Sequence, residues 1–110
     1  MKLGVNRRLK EKDYGLDNTE QTLIIGNKRI KLRKKLWQVL LHLENNKNHL
    51  VVKKELIDNY WEGDFARGDI AVTNSICHLR KILEKHLKHC SIITIAKRGY
   101  IFSDIIQDSK

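Results

Sequence analysis

The sequence predicts one α+β domain with an N-terminal antiparallel sheet, three helices and a C-terminal β-hairpin. Three observations support this fold class: two strand-like runs around a tight-turn sequence near the N-terminus, three helical segments, and two short apolar runs around a basic tip near the C-terminus. A chain of 110 residues is long enough for one hydrophobic core. We expect a basic tail at 1–13, followed by the folded domain at 14–110.

The first half of the predicted domain contains a hairpin and a helix. The strand candidates Thr22–Ile25 and Arg29–Leu32 flank Gly26-Asn27-Lys28, a sequence typical of a tight hairpin turn. Residues 34–45 then change to helical spacing, and Asn45-Asn-Lys-Asn48 ends that helix. The apolar face of this first helix comprises Leu36, Val39, Leu40 and Leu43.

The second half supplies the remaining elements. Leu50–Val52 is a short strand candidate, and Lys53–Trp61 follows as the second helix. Residues 62–69 contain two glycines and three acidic residues and are interpreted as a loop. Ile70–Leu87 is the third helix, and Ile92–Phe102 forms the terminal hairpin. A sheet that covers one side of a three-helix core follows from this order.

Charge is the main compositional signal. The chain has 22 Lys and Arg residues against 13 Asp and Glu, a net charge of +9 and a pI near 9.7. Residues 28–35 contain six basic residues, and the first twelve residues contain five more. A compact domain this basic favours a polyanionic partner. The alternative is a soluble surface with an excess of lysine.

The sequence also predicts a compartment. No apolar run approaches transmembrane length, and the first dozen residues lack the apolar stretch and cleavage site of a signal peptide. The two cysteines, Cys77 and Cys90, do not form a disulfide framework. We therefore expect a cytoplasmic protein with reduced thiols.

The third helix separates into two faces when its residues are placed at 100° per step. Its core stripe consists of Val72, Ile76, Leu79, Leu83 and Leu87. The opposite face carries Asn74, Cys77, His78, Lys81 and Lys85, flanked by Thr73 and Arg80. Such a helix is narrow enough for a DNA major groove, and the hairpin tip at 96–99, with Lys97 and Arg98, could reach an adjacent minor groove.

The outer side chains suit DNA chemically. Asparagine can pair with adenine through two hydrogen bonds, and histidine can donate to or accept from base edges. Lys81 and Lys85 suit phosphates or guanine, and Thr73 suits a phosphate. The alternative is that the polar face is only solvated, as on any amphipathic helix.

Three segments together resemble the OmpR/PhoB-type winged-helix domain: 51–61 (VVKKELIDNYW), 72–83 (VTNSICHLRKIL) and 95–102 (IAKRGYIF). The resemblance covers residues 14–104, and the Lys-Arg-Gly-Tyr tip is most similar to ToxR- and CadC-like transcriptional regulators of bacteria. It implies a winged helix-turn-helix in which the third helix reads the major groove of double-stranded DNA and the wing reaches the minor groove.

The resemblance also implies site residues. Asn74, Cys77 and His78 become base-reading candidates, and Arg98 becomes the minor-groove candidate. Residues 61–69 match a loop that can contact RNA polymerase, with Trp61, Asp64 and Phe65 as its candidate residues. Gly99 would permit the tight wing turn, while Tyr100 and Phe102 would pack the wing on the third helix. The phosphate-side candidates are Thr73, Arg80, Lys81 and Thr94.

Departures from the family pattern are expected to matter. Arg33 and Val52 stand where a Thr or Ser helix cap is usual, and each missing cap costs on the order of 1 kcal/mol. Arg33, Lys34 and Lys35 also oppose the positive end of the helix dipole. They are either a tolerated defect, the interpretation favoured here, or neighbours of a bound phosphate. The usual basic residue is absent at His78, and no receiver domain precedes the fold within this sequence.

Other functions are less favoured by the sequence. Cys77, His78, His86, His89 and Cys90 lack the close cysteine pairs of a structural zinc site, so no metal is expected. No paired carboxylates, nucleophile elbow or phosphate-cradling glycine loop indicates an enzyme, and no cofactor or small-molecule substrate is expected. A redox switch at Cys77 is a minor alternative.

Two further functional classes remain open. The first is a protein-interaction module that binds RNA polymerase or another regulator through Trp61, Phe65 and the loop between them. The second is binding of structured RNA, against which the base-reading helix argues because the RNA major groove is too narrow. A homodimer on tandem DNA sites also remains open, as does continuation of the natural protein beyond Lys110.

Overall fold

The computed structural model describes residues 14–87 and 90–104. The predicted basic tail at 1–13 lies outside the described residues, as do His89 and 105–110. Two three-stranded antiparallel sheets and three helices make up the described part of the chain.

The N-terminal sheet consists of β1 (Gly15–Asp17), β2 (Thr22–Ile25) and β3 (Lys28–Lys31), in the order β1-β2-β3. The predicted hairpin is confirmed, although β3 begins at Lys28, one residue inside the predicted turn. Gly26 adopts a positive φ of 62° in that turn, the conformation that a two-residue hairpin connection requires.

The three helices are α1 (Lys34–Asn45), α2 (Lys53–Tyr60) and α3 (Phe65–His86). The predicted apolar face of α1 is buried, together with Trp37. α2 buries Leu56 and Ile57 and ends one residue before the predicted boundary at Trp61. These side chains, the core stripe of α3 and the inward residues of both sheets form one hydrophobic cluster. None of the helices in the described residues is both long enough and apolar enough to span a membrane.

The start of α3 corrects the sequence prediction. Residues 62–69 were expected to form a loop, but the helix begins at Phe65 instead of Ile70. Asp64 caps it, because its side chain accepts a hydrogen bond from the backbone N–H of Arg67 at 3.2 Å. Gly68 lies inside the helix, where a Cβ atom would fall 2.7 Å from Cγ2 of Ile57. The acidic residue is therefore a cap, and the glycine permits close packing of α3 on α2.

The second sheet contains the predicted hairpin and one additional strand. Its strands are β4 (Val51–Val52), β5 (Ser91–Ile95) and β6 (Gly99–Ser103), in the order β4-β6-β5. β4 precedes α2 and pairs with β6, so the α1–α2 connection is joined to the hairpin by backbone hydrogen bonds. The fold is therefore a winged helix-turn-helix whose wing is the β5–β6 hairpin.

Gly99 has a further role beside the one implied by the resemblance. It is the first residue of β6, and a Cβ atom there would lie 2.2 Å from the carbonyl oxygen of Val51. Glycine is needed because β4 crosses at that point. Gly99 also has a positive φ of 155°, and Lys97 lies in the left-handed region within the turn, with φ 61°.

The first turns of α1 and α2 lack side-chain caps, as the sequence predicted. Neither Arg33 nor Val52 makes a capping hydrogen bond through its side chain. The first turn of α1 contains no acidic residue, whereas that of α2 contains Glu55. The N-terminus of α1 therefore lacks an acidic side chain of its own to balance Arg33, Lys34 and Lys35.

Candidate nucleic-acid interface

The two faces predicted for α3 are present in the structure. All five residues of the core stripe are buried, with exposed fractions between 0% and 6%. The five residues of the opposite face are exposed, namely Asn74, Cys77, His78, Lys81 and Lys85. We call these five residues the α3 crest. Glu84 is also exposed on α3 and was not considered in the sequence analysis.

One flank of the α3 crest is joined to the wing through Arg80. Its Nε donates to the carbonyl oxygen of Ile92 at 2.9 Å, and one terminal nitrogen donates to Oγ1 of Thr94 at 2.7 Å. A guanidinium group has five N–H donors in a planar fork, so the other donors remain for a phosphate. Two predicted phosphate-side residues, Arg80 and Thr94, are thus held together before any DNA binds.

A second polar network on this flank was missed by the sequence analysis. Lys53, the first residue of α2, donates from Nζ to Oδ1 of Asp69 at 2.6 Å and to Oγ1 of Thr73 at 3.0 Å. Burial alone would lower the pKa of the Lys53 ammonium, but its hydrogen bond and attraction to Asp69 and its contact with Tyr100 raise it above its usual value. The contact joins α2 to α3, and no local sequence pattern signals it.

The wing tip lies across a cleft from α3. Lys97 and Arg98 are exposed, and the Arg98 backbone N–H closes the turn by donating to the carbonyl oxygen of Ile95 at 2.9 Å. Tyr100 is buried and lines this cleft, and Phe102 lies in the core. The implied packing of these two side chains on α3 stays a prediction. The cleft is lined on the α3 side by Thr73, Ile76, Cys77 and Arg80.

The other flank of the α3 crest borders a groove toward the start of α1. We name residues 31–35, which join β3 to α1, the β3–α1 corner. Asn74, Ser75, His78 and Ile82 line the α3 side of the groove, and Lys31, Arg33 and Lys35 line the opposite side. Two of the predicted base-reading residues therefore face this corner across the groove.

Lysine and arginine residues in the described part of the chain differ in whether a carboxylate pairs with them. Five of them form ion pairs with carboxylates: Arg29, Lys47, Lys53, Lys54 and Arg67. Those on the crest and wing tip have no carboxylate within ion-pair distance among residues 14–87 and 90–104, and the same holds for Lys31 and Arg33. The face formed by α3 and its two flanks therefore presents uncompensated positive charge.

The predicted polymerase-contact residues do not form one exposed loop. Trp61 is buried, with 8% exposure, and the Lys35 ammonium lies 5.3 Å from its ring centroid. Asp64 is the α3 cap, and Phe65 is the first residue of that helix, with 55% exposure. Only the segment 61–64 is a loop, so the prediction of a loop through Asp69 was wrong. Phe65 and nearby Ile70, with 65% exposure, present apolar surface instead.

The metal and redox candidates do not come together in the structure. Within residues 14–87 and 90–104, no three His, Cys, Asp or Glu side chains are placed to hold a metal ion. Cys77 is exposed and Cys90 is buried, and the two do not form a disulfide. His89 lies outside the described residues.

Comparison with known proteins identifies relatives of this fold. Residues 27–102 match the family model described as "Transcriptional regulatory protein, C terminal". The heme response regulator HssR of Staphylococcus epidermidis is 29% identical over 85 residues, which cover 77% of this chain and 38% of HssR. The response regulator SaeR of the same species is 32% identical over 88 residues, covering 79% and 38% of the two chains. The chain thus spans 38% of the length of these relatives.

Solved structures show the same architecture. The DNA-binding domain of Escherichia coli CadC aligns with a TM-score of 0.69 and 25% identity over 82% of this chain and 85% of that one. The DNA-binding domain of Klebsiella pneumoniae RstA, solved in complex with the RstA box, aligns with a TM-score of 0.69 and 20% identity over 84% and 92%. The latter likeness supports the fold alone.

Proposed function

Because the chain belongs to the OmpR/PhoB-type C-terminal domains of transcriptional regulatory proteins, a family of sequence-specific DNA-binding domains, we propose how its residues hold double-stranded DNA. The α3 crest enters the major groove, and the tip of the wing enters the adjacent minor groove. The observation that carries this proposal is an exposed, uncompensated cationic face centred on α3, whose wing flank is held by Arg80. The family is not an enzyme class.

Base reading falls to the crest residues that carry hydrogen-bonding groups on short side chains. Asn74 can donate to and accept from adenine, and His78 can contact a purine or pyrimidine edge in either tautomer. Cys77 lies between them and the wing, where a small side chain permits close approach to a base edge. All three are exposed, and the backbone that carries them is fixed by the buried stripe beneath.

Phosphate contacts come from the longer side chains and from the wing flank. Lys81 and Lys85 extend from the crest, and Thr73, Arg80 and Thr94 lie where α3 meets the wing. Such contacts position the protein on the duplex and supply salt-dependent affinity without reading sequence. Lys97 and Arg98 enter the minor groove, where a narrow A·T-rich segment has an enhanced negative potential.

Selection of bound duplexes from a random-sequence pool at near-physiological salt, followed by sequencing, tests this function. A sequence-specific regulator enriches one motif, and an ordered direct repeat of that motif would support a homodimer on tandem sites. Recovery of unenriched sequences, with affinity that only decays with salt, would refute base reading and leave generic electrostatic binding.

A protein contact is a second proposal, carried by the exposed apolar side chains at the start of α3. Phe65 and Ile70 are more than half exposed, unlike the buried Trp61. We propose them as the anchors of a contact with RNA polymerase or another regulator. Phe65→Ala should then abolish transcription activation in a reconstituted assay while leaving operator affinity unchanged. Equal losses of activation and of operator affinity would contradict a separate protein contact.

A further inference from the structure

We propose that the β3–α1 corner is a second phosphate-binding flank, which contacts the DNA backbone on the side of the major groove away from the wing. This inference rests on the proposed placement of α3 and assigns two further residues, Lys31 and Arg33, to the interface. Lys31 was not among the site residues expected from the sequence, and Arg33 entered there only in the less favoured alternative of a bound phosphate.

The geometry places the corner beside the base-reading residues. Around the α3 axis, at 100° per residue from Val72, the wing-side residue Cys77 lies near 140° and the corner-side residue His78 near 240°. Lys81 lies between them, near 180°. The structure agrees, because Cys77 lines the wing cleft whereas His78 lines the groove toward the corner. The α3 crest therefore has the wing on one side and the β3–α1 corner on the other.

The width of the DNA major groove allows both flanks of α3 to contact the phosphate backbone. A major groove is about 12 Å wide, close to the diameter of a helix with its side chains, about 10–12 Å. A helix seated there has a phosphate strand along each side. The wing flank meets one strand through Arg80 and Thr94. Lys31 and Arg33 are the cations positioned to meet the other.

The charge environment favours an anionic partner at this corner. Lys31 and Arg33 are exposed, and no carboxylate among the described residues pairs with either. Arg29, two residues earlier on the same strand, is instead paired with Asp17 at 3.4 Å. Lys35 is occupied by the Tyr60 carbonyl oxygen and the Trp61 ring. The free charge of the groove wall is therefore concentrated on Lys31 and Arg33.

The same charges are unfavourable to the protein alone. Arg33 occupies the N-cap position of α1 without a capping bond, and Lys34 and Lys35 follow in its first turn without an acidic residue. Positive charge at this end opposes the helix dipole. A phosphate in the neighbouring groove would offset this repulsion, because an anion is attracted both to these cations and to the helix N-terminus. The bound-phosphate interpretation of the basic segment is therefore preferred to the tolerated defect.

A matched pair of double variants of the 110-residue chain tests the corner. Lys31→Gln with Arg33→Gln removes two charges from the groove, and Lys28→Gln with Lys54→Gln removes two exposed charges that lie outside the corner and do not line the groove. Fluorescence anisotropy against the selected duplex is measured over a series of salt concentrations. In the corner variant, the slope of log affinity against log salt should become less steep by about two units. The slope of the control should stay within about half a unit of that of the unmodified chain. Equal decreases in the two variants would overturn the proposal.

Two further measurements separate this inference from the function on which it rests. In the same assay, Lys81→Ala should lower the slope by about one unit. Failure of the unmodified chain to select a motif, or of Lys81→Ala to weaken binding, would overturn the α3 assignment and the corner with it. A decrease for Lys81→Ala alone, with the corner variant equal to the unmodified chain, would overturn only the corner.

Neutral methylphosphonates placed singly along each DNA strand locate the contacts. A methylphosphonate at a phosphate that the corner contacts should weaken binding of the unmodified chain. The same substitution should not weaken binding of the Lys31→Gln, Arg33→Gln variant further. These positions should border the major groove on the strand opposite to those coupled to Thr94→Val. Coupling of both variants to the same phosphates would contradict a second flank.

Discussion

The two flanks of α3 are built differently although both present positive charge. On the wing flank, Arg80 and Thr94 are hydrogen-bonded to each other, and Lys53 holds Thr73. On the corner flank, Lys31 and Arg33 extend into a groove without a protein partner among the described residues. The wing flank is thus preorganised and should set register and orientation on DNA, whereas the corner flank should add charge that tolerates small displacements.

The largest expected effect comes from breaking the support of the wing. Gly99→Ala places a Cβ atom 2.2 Å from the Val51 carbonyl oxygen, so β4 and β6 must separate, and the φ of 155° adds a backbone penalty for alanine. We expect the free energy of unfolding to fall by about 3 kcal/mol or more, measured by urea denaturation. Gly26→Ala is the control, because its Cβ meets open space and only the positive φ is unfavourable, which costs about 1 kcal/mol. Similar losses at both glycines would contradict the crossing of β4 as the cause.

Side chains of the crest should separate base reading from phosphate binding. Asn74→Ala and His78→Ala should each lose about 1–3 kcal/mol of binding free energy on the selected motif and little on random DNA. Lys81→Ala should weaken binding to both DNAs alike. Anisotropy titrations against the selected duplex and its single-base variants measure the difference. Uniform losses across all variants would remove Asn74 and His78 from the list of base-reading residues.

Conservative exchanges of basic residues test whether the two flanks differ in rigidity. Arg80→Lys keeps the charge but loses the planar fork that bonds Ile92 and Thr94, so we expect about 1–2 kcal/mol lower stability and weaker operator binding. Lys31→Arg keeps the charge on a flank without such bonds, and operator affinity should stay within about twofold. Urea denaturation and anisotropy measure both. Tolerance of Arg80→Lys would show that the wing flank also works by charge alone.

Sequence reasoning predicted the features of this fold that depend on local spacing. The apolar stripes of α1 and α3, the Gly26–Asn27 turn and the missing cap at Arg33 all follow from residues within one element. It failed where a residue's role depends on a distant element. Gly68 lies in a segment with the composition of a loop, but it packs on Ile57. At Gly99, the requirement for glycine comes from the neighbouring strand β4.

The candidate site was predictable to a similar extent. The crest came from periodicity, and its chemistry follows from residue type. The Arg80–Thr94 bond, the Lys53 network and the groove between His78 and Arg33 each join segments far apart in sequence. Trp61 was assigned to a contact loop because residues 61–69 match that loop of the family, yet burial against the core satisfies its apolar ring.

The smallest expected effect concerns the cap of α1 and separates stability from binding. Arg33→Ser supplies a capping hydroxyl and removes a positive charge from the helix N-terminus, so the free energy of unfolding should rise by about 1 kcal/mol. The same change should weaken DNA binding if Arg33 contacts a phosphate. Val52→Ser supplies the same cap to α2 without removing charge, and should raise stability with DNA affinity unchanged. If both stability and DNA affinity rise in Arg33→Ser, this arginine is only a defect in α1. If Arg33 contacts a phosphate, the variant must bind DNA more weakly even though α1 gains its cap.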